Sequence, residues 1–201
     1  MMARRAQQKR ETHDRIIAAA AKRLALKGVN GASVDAVMSD AGLTHGGFYA
    51  HFRNKQQMVE EALTSAQDHM MSQLGRGLEG GGKEALSQML ARYLGKPHRD
   101  RPAEGCLIPV LMGEAPHAGP EIRAGLEAEV ERLAGVFAQQ LEGRPEADDM
   151  GLGLVALAVG GLALSRAVAD EAYSDRILRA ARLIAHAAQK GERSHAPAPA
   201  A

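Results

Sequence analysis

The sequence predicts an all-α protein with a small basic N-terminal domain and a larger apolar C-terminal domain. Apolar residues recur three and four positions apart along most of the 201 residues, and no stretch shows the alternation of a β-strand. The 45% hydrophobic content is mostly Ala, Leu and Val, which is typical of a helical globular protein and excludes a disordered chain. Residues 1–60 carry ten Lys/Arg against five Asp/Glu, and the remainder carries 15 against 19. This asymmetry indicates a polyanionic partner, with an ordinary solvated face as the alternative.

The first predicted helix runs from about Gln7 to Leu26. It places Ile16, Ala20 and Leu24 on one face, with lysine and arginine side chains around them. This spacing is that of an amphipathic helix. Gly28 follows as the expected C-terminal cap.

Capping residues predict three further helices before the larger domain. Ser33 precedes a short helix over residues 34–40, and Gly42 breaks the pattern. Thr44 is expected to cap a third short helix and Asn54 a long fourth one. Two short helices joined by a glycine-containing turn in a basic domain are the pattern of a helix-turn-helix.

The larger domain is predicted to contain helices near residues 84–94, 105–112, 120–141, 147–169 and 174–189. The helix at 147–169 is apolar nearly all round, and three of its glycines, Gly153, Gly160 and Gly161, allow close approach of another helix. Few elements remain to cover the last two helices, so we expect them to bury a second copy of the chain, with a monomer core as the alternative. The expected interface residues are Leu152, Val155, Val159, Leu162, Ile177 and Ile184.

The chain shows no signal-peptide pattern, and its single Cys106 has no internal disulfide partner. A cytoplasmic location is therefore expected. The longest uncharged run, Met150–Ser165, has sixteen residues, whereas a membrane span needs about 20, so no membrane partner is expected. The scattered histidines show no metal-ligand spacing, and neither a metal nor a cofactor is predicted.

The segment SVDAVMSDAGLTHGGFYAHFRNK, Ser33–Lys55, resembles the N-terminal DNA-binding domain of the TetR family of bacterial transcriptional regulators. The resemblance covers about residues 10–60. It implies a helix-turn-helix DNA-binding domain over residues 1–54 and a helical ligand-binding and dimerisation domain over 55–190, and we expect a disordered tail over 191–201. It further implies a regulator rather than an enzyme, acting as a homodimeric repressor that an unknown small-molecule effector releases from a double-stranded, inverted-repeat DNA operator.

Carried over position by position, the resemblance makes residues 34–40 the support helix and 44–50 the recognition helix. Phe48 and Phe52 are expected to be core anchors. His45 stands where Lys, Arg or Pro is common, and Gly47 where a hydroxyl residue is common. The expected DNA-binding residues are Ser33, Thr44, His45, Gly46, Gly47, Tyr49, His51 and Lys55, with capping of its own helix as the alternative role of Ser33.

Apolar residues of the larger domain suggest a ligand pocket, with ordinary core as the alternative. The expected pocket residues are Met70, Met89, Tyr93, Cys106, Val110 and Phe137.

Cys106 leaves two further alternatives open. It follows Gly105 at the expected start of a helix and lies near Arg99 and Arg101, and both features lower a thiol pKa and favour an oxidant or electrophile sensor. A remote alternative is a thiol-dependent hydrolase in which His98 or His117 is the base. Plain packing of a small hydrophobic side chain is the remaining interpretation.

Overall fold

The structure, a computed structural model, describes residues 2–78, 80–141 and 143–190, with side chains from residue 4. The described residues form nine α-helices and three short 3₁₀ helices, without a strand. The all-α prediction is therefore confirmed. The expected disordered tail, residues 191–201, lies outside the described residues.

The helices follow one another in this chain order: α1 (Met2–Gly31), α2 (Val34–Asp40), a 3₁₀ helix (His45–Ala50), α3 (Lys55–Gly75), α4 (Lys83–Tyr93), α5 (Lys96–Asp100), α6 (Ile108–Glu114), α7 (Pro120–Gln139), α8 (Ala147–Ala167) and α9 (Glu171–Lys190). Two shorter 3₁₀ turns, Pro102–Glu104 and Ala115–His117, flank α6.

The N-terminal core is built around the residues that the sequence pattern selected. Ile16, Leu24, Phe48 and Phe52 are each at most 2% exposed, so the two phenylalanines are confirmed as core anchors. Gly28 ends the regular part of α1 because its φ of 67° and ψ of −173° are not helical. The helix begins earlier than the apolar pattern indicated, because residues 2–6 add a polar turn.

The helix-turn-helix differs from expectation in its second helix. Ser33 caps α2, with its Oγ accepting from the Ala36 N–H at 3.3 Å, and Gly42 makes the turn at φ 67°. The helix His45–Ala50 is 3₁₀, and Thr44 stands at its N-cap without a side-chain hydrogen bond. Two glycines among its six residues lower the α-helical propensity, which accounts for a short 3₁₀ helix in place of an α-helix.

Helix α3 belongs to two hydrophobic cores. Its first half contributes Met58 and Val59 to the core of the helix-turn-helix domain. Its second half contributes Met70 and Leu74 to the core of the larger domain. One continuous helix therefore joins the two domains.

Helix α8 lies in the centre of the larger domain, in contact with α7 and α9. In the described ranges it alone has the length and composition to cross a membrane, yet it is a core helix here. Its interface assignment needs correction: Val155, Val159 and Leu162 are at most 6% exposed and belong to the protomer's own core. Leu152 is 49% exposed. On α9, Ile184 is 57% exposed and Ile177 is partly buried.

Candidate nucleic-acid interface and regulatory cavity

The 3₁₀ helix and its N-cap residue present an exposed surface, called here the recognition strip, that consists of Thr44, His45, Gly46 and Tyr49. The first three are exposed, and Tyr49 is 67% exposed. Phe48 points the opposite way into the core, and its ring meets that of Tyr49 edge-on with centroids 5.3 Å apart. The buried phenylalanine therefore supports the tyrosine in its outward position.

The two glycines of this helix leave open space at its surface. A Cβ atom on Gly46 would meet nothing within 4 Å, and one on Gly47 would meet only the Met38 side chain, at 3.5 Å. Packing within the chain therefore does not require either glycine. Their missing side chains allow another molecule to approach the backbone N–H groups at the helix start.

His45 is held by a carboxylate that the sequence pattern did not indicate. Its Nδ1 lies 2.5 Å from Oδ1 of Asp35, which projects from the first turn of α2. Both side chains are more than half exposed. The pair orients the imidazole across the turn, and it places a negative charge beside the recognition strip. The residues are ten positions apart, so no local sequence signal reveals the contact.

Lys55 differs from the residues of the recognition strip because its side chain is bound within the fold. It is partly buried, and its Nζ donates to the carbonyl of Val29 at 2.8 Å. The N–H of the same Val29 donates to Oε2 of Glu114 at 2.7 Å. Lys55 and Glu114 thus hold the end of α1 from both sides, and Glu114 reaches it from α6 of the larger domain.

His51 is partly buried beside the ring of Phe52, and its Nδ1 has no hydrogen-bond partner in the described structure. Burial, together with the neighbouring His13 and Lys9, lowers the pKa of His51. The imidazole is therefore neutral near pH 7 and offers hydrogen bonding rather than charge.

A basic segment at the start of α1 escaped the sequence analysis. Arg4, Arg5, Lys9 and Arg10 are all exposed on the helical turns that begin at Met2. These residues do not follow an apolar repeat, so they entered the sequence analysis only through the count of basic residues in the N-terminal part. They add cations to the domain that carries the recognition strip.

The larger domain contains a cavity of about 620 Å³ between α3, α4, α5 and the following turn. Its volume is in the range of sites for small organic ligands. The lining consists of His69, Met70, Gln73, Leu74, Arg76, Arg92, Pro97, His98, Arg101, Glu104 and Gly105. Across the described part of the chain, no group of three His, Cys, Asp or Glu side chains is placed to hold a metal ion.

The expected pocket residues divide between this cavity and the core. Met70 lines the cavity. Met89, Tyr93, Cys106 and Phe137 are each at most 8% exposed and pack in the hydrophobic core. Val110, in α6, is partly buried and does not line the cavity. The charged residues that do line it lie outside the apolar pattern, which is why the sequence analysis missed them.

The structure contradicts the expected activation of Cys106. The residue lies two positions before α6 and is 2% exposed, and burial raises the pKa of its thiol to about 11. Its backbone N–H donates to Nε2 of His98 at 3.0 Å, while Nδ1 of His98 donates to the Tyr93 carbonyl at 2.7 Å. Burial lowers the pKa of His98 to about 4. Both ring nitrogens of the neutral histidine are occupied, so His98 supports backbone structure and not a nucleophilic thiol. His117 is exposed in the turn after α6.

Comparison with known proteins identifies the N-terminal domain. Residues 16–62 match the sequence profile described as bacterial regulatory proteins, tetR family. These residues run from the core face of α1 through the recognition strip into α3. No significant match to a curated protein sequence was found.

Solved structures share the fold of nearly the whole chain. A TetR transcriptional regulator from Chloroflexus aurantiacus J-10-FL superimposes with a TM-score of 0.77 at 22% identity, covering 92% of this chain and 97% of that chain. A transcriptional regulator from Rhodococcus sp. Rha1 has a TM-score of 0.72 at 25% identity, covering 92% and 99%. The reduced form of E. coli NemR has a TM-score of 0.70 at 18% identity, covering 87% and 95%.

The profile match covers the complete helix-turn-helix, and the structural matches extend the shared architecture through the larger domain. Residues 16–62 therefore match the tetR family of bacterial regulatory proteins, and the chain as a whole shares the fold of solved TetR-family regulators.

Proposed function

We propose that the chain is a cytoplasmic homodimeric repressor that binds an inverted-repeat operator and leaves it when a small molecule occupies the cavity of the larger domain. The recognition strip is the observation that carries the DNA-binding part. It combines exposed polar side chains, accessible backbone and an outward tyrosine on a firmly packed support. These are the groups with which a helix-turn-helix reads bases and holds phosphates.

Within the strip, we assign base contact to His45 and backbone contact to Tyr49, Thr44 and the amides at Gly46. Asp35 limits the positions that the His45 ring can adopt. Ser33 and Lys55 act through the fold, since the first caps α2 and the second binds the Val29 carbonyl. The exposed cations at the start of α1 add a sequence-independent attraction for DNA.

A homodimer follows from the small size of the strip and from the surface of α8 and α9. A single short helix contacts too few base pairs for a selective site, whereas two copies related by a two-fold axis read two half-sites. Of the exposed large hydrophobic residues, five lie on these two helices: Leu152, Leu164, Tyr173, Leu183 and Ile184. Such a concentration of apolar surface is typical of a protein–protein interface.

Ligand release is supported by the connections between the cavity and the DNA-binding domain. The last turns of α3 line the cavity, and its first turns pack in the N-terminal core. Glu114 of α6 accepts from the backbone at the end of α1. A ligand that displaces α3 or α6 thereby changes the orientation of the recognition strip in each protomer.

Selection of bound duplexes from a random DNA pool tests the proposal. We expect the selected sites to be inverted repeats, with binding that weakens steeply as salt is raised. Tyr49→Phe should weaken binding to all sites about equally, by about 2- to 10-fold for one lost hydrogen bond. His45→Ala should change the selected bases, whereas the exposed His117→Ala, outside the strip, should change nothing. Selected sites without two-fold symmetry would contradict the dimeric reader.

A further inference from the structure

The charge of the cavity in the larger domain is unbalanced. Among the described residues, three guanidinium groups line it, those of Arg76, Arg92 and Arg101, against one carboxylate, that of Glu104. Between them lies an apolar part formed by Met70, Leu74 and Pro97. A cavity with cations on one side and apolar groups on another complements a molecule with a negative head and an apolar body.

The arginines are arranged to receive an anion. Nη1 of Arg92 donates to the Leu74 carbonyl at 2.6 Å and is fixed against the end of α3. This contact leaves the other N–H groups of that guanidinium for a further acceptor. Arg76 and Arg101 are exposed, and neither side chain has a hydrogen bond or ion pair with the residues that the structure describes. Arginine recognises carboxylate, sulfonate and phosphate groups through paired hydrogen bonds.

His98 lines the cavity beside Gly105, and burial lowers the pKa of its ring to about 4, so it adds no charge near pH 7. The backbone at Gly105 is closely packed, since a Cβ there would lie 2.5 Å from the His98 ring. Among the described residues, the three arginines and Glu104 therefore set the charge of this part of the cavity.

We propose that the cavity binds a small organic anion, with its acidic group held by Arg76, Arg92 and Arg101 and its apolar body on Met70, Leu74 and Pro97. The regulatory consequence rests on the proposed function: the anion ties the end of α3, at Arg76, to the segment after α5, at Arg101, and so shifts the helix shared by the two cores.

Matched anionic and neutral probes test the proposal on the full chain without DNA. Isothermal titration calorimetry would compare 1-naphthoate with 1-naphthamide and octanoate with octanamide, up to low millimolar concentrations. At least one carboxylate should bind about 10-fold more tightly than its amide, as expected for a charge-assisted pair in a partly enclosed site. In Arg76→Gln/Arg101→Gln this preference should fall to about 2-fold or less. Arg123→Gln, an exposed α7 residue outside the cavity, should keep it.

Equal affinity for carboxylate and amide, an unchanged preference in the double variant, or no binding by any of the four probes would overturn the anion site. A thermal melt of each variant shows whether the substitutions merely unfold the chain, and the single variant Arg101→Lys should retain part of the preference if charge is what matters. Binding is measured without an operator, so failure of the anion site is distinguishable from failure of the proposed DNA binding. If a carboxylate binds and the selected duplex is not released, the cavity assignment stands and the proposed ligand response fails.

Discussion

At the residue scale, Cys106 shows how tertiary packing reverses a local electrostatic argument. The neighbouring arginines and the nearby helix suggested a lowered thiol pKa. In the fold, Arg99 pairs instead with Asp100 and Asp175, and its guanidinium is occupied. Burial then raises the pKa of Cys106 from 9.0 to about 11. The neutral thiol is the stable form near pH 7, which argues against a thiolate sensor at this position.

We expect Cys106 to react very slowly with a disulfide reagent in the folded protein. A rise of the pKa from 9.0 to about 11 leaves about 100-fold less thiolate, and burial blocks access as well. The reaction with 5,5′-dithiobis(2-nitrobenzoate), followed by absorbance near pH 7, should therefore be slower in the native protein than in urea by about 100-fold or more. The exposed Ser72→Cys, in a Cys106→Ser background, is the matched control and should react fast in both states. Similar native rates for the two thiols would restore Cys106 as a sensor candidate.

The same scale shows which site residues the sequence is able to predict. Phe48 was placed correctly as a core anchor, and the capping alternative for Ser33 is confirmed, because local spacing and capping decide these roles. The DNA contact expected of the exposed Tyr49 stays a prediction. The contacts of His45 with Asp35 and of Lys55 with Val29 join residues ten and 26 positions apart. Such pairs depend on the path of the chain, and a single sequence holds no signal for them.

At the element scale, the end of α1 is where the two domains meet. Gly28 adopts φ 67° and ψ −173°, a backbone conformation that L side chains rarely adopt. A Cβ atom at this position would overlap Oε1 of the Glu114 carboxylate, whose Oε2 accepts from the Val29 N–H. The sequence pattern correctly predicted a glycine helix end. It did not predict the contact with Glu114, because α6 lies some 85 positions further along the chain.

We expect Gly28→Ala to destabilise the protein by about 1–3 kcal/mol, from the strained backbone and the displaced Glu114 carboxylate. Urea unfolding followed by circular dichroism measures this change. Gly135→Ala is the matched control: its position inside α7 has no atom within 4 Å of the added Cβ, and it should stabilise by about 0.5–1 kcal/mol. A neutral or stabilising Gly28→Ala would show that the end of α1 relaxes freely and does not couple the domains.

At the scale of the whole molecule, the sequence located the apolar helices of the larger domain and could not assign their faces. Helix α8 is apolar nearly all round, so its sequence gives no polar side to mark the solvent. The structure divides its glycines: a Cβ on Gly161 would lie 2.9 Å from that of Ala181, whereas Gly153 and Gly160 have open space. Gly161 therefore serves packing within the protomer, and Gly153 and Gly160 lie on the face where we propose that a second copy packs.

The division of faces predicts different outcomes for charged substitutions on α8 and α9. Ile184→Glu, at a residue 57% exposed, should leave the fold intact and weaken dimerisation by about 10- to 100-fold, the effect of losing one central apolar contact. Val159→Glu should instead unfold the protomer, because this side chain is 6% exposed in its own core. Sedimentation velocity gives the dimer population, and circular dichroism gives the folded fraction.

Met112→Glu is the control for the dimer experiment, since this 44% exposed apolar residue lies on α6 and not on the two helices of the proposed interface. It should remain dimeric. The Ile184→Glu monomer should also lose operator affinity, because each protomer alone presents one recognition strip and the two half-sites are no longer bound together. An intact dimer in Ile184→Glu, or a monomer in Met112→Glu, would move the interface to another face. Loss of dimerisation without loss of operator affinity would instead show that one protomer suffices to read the site.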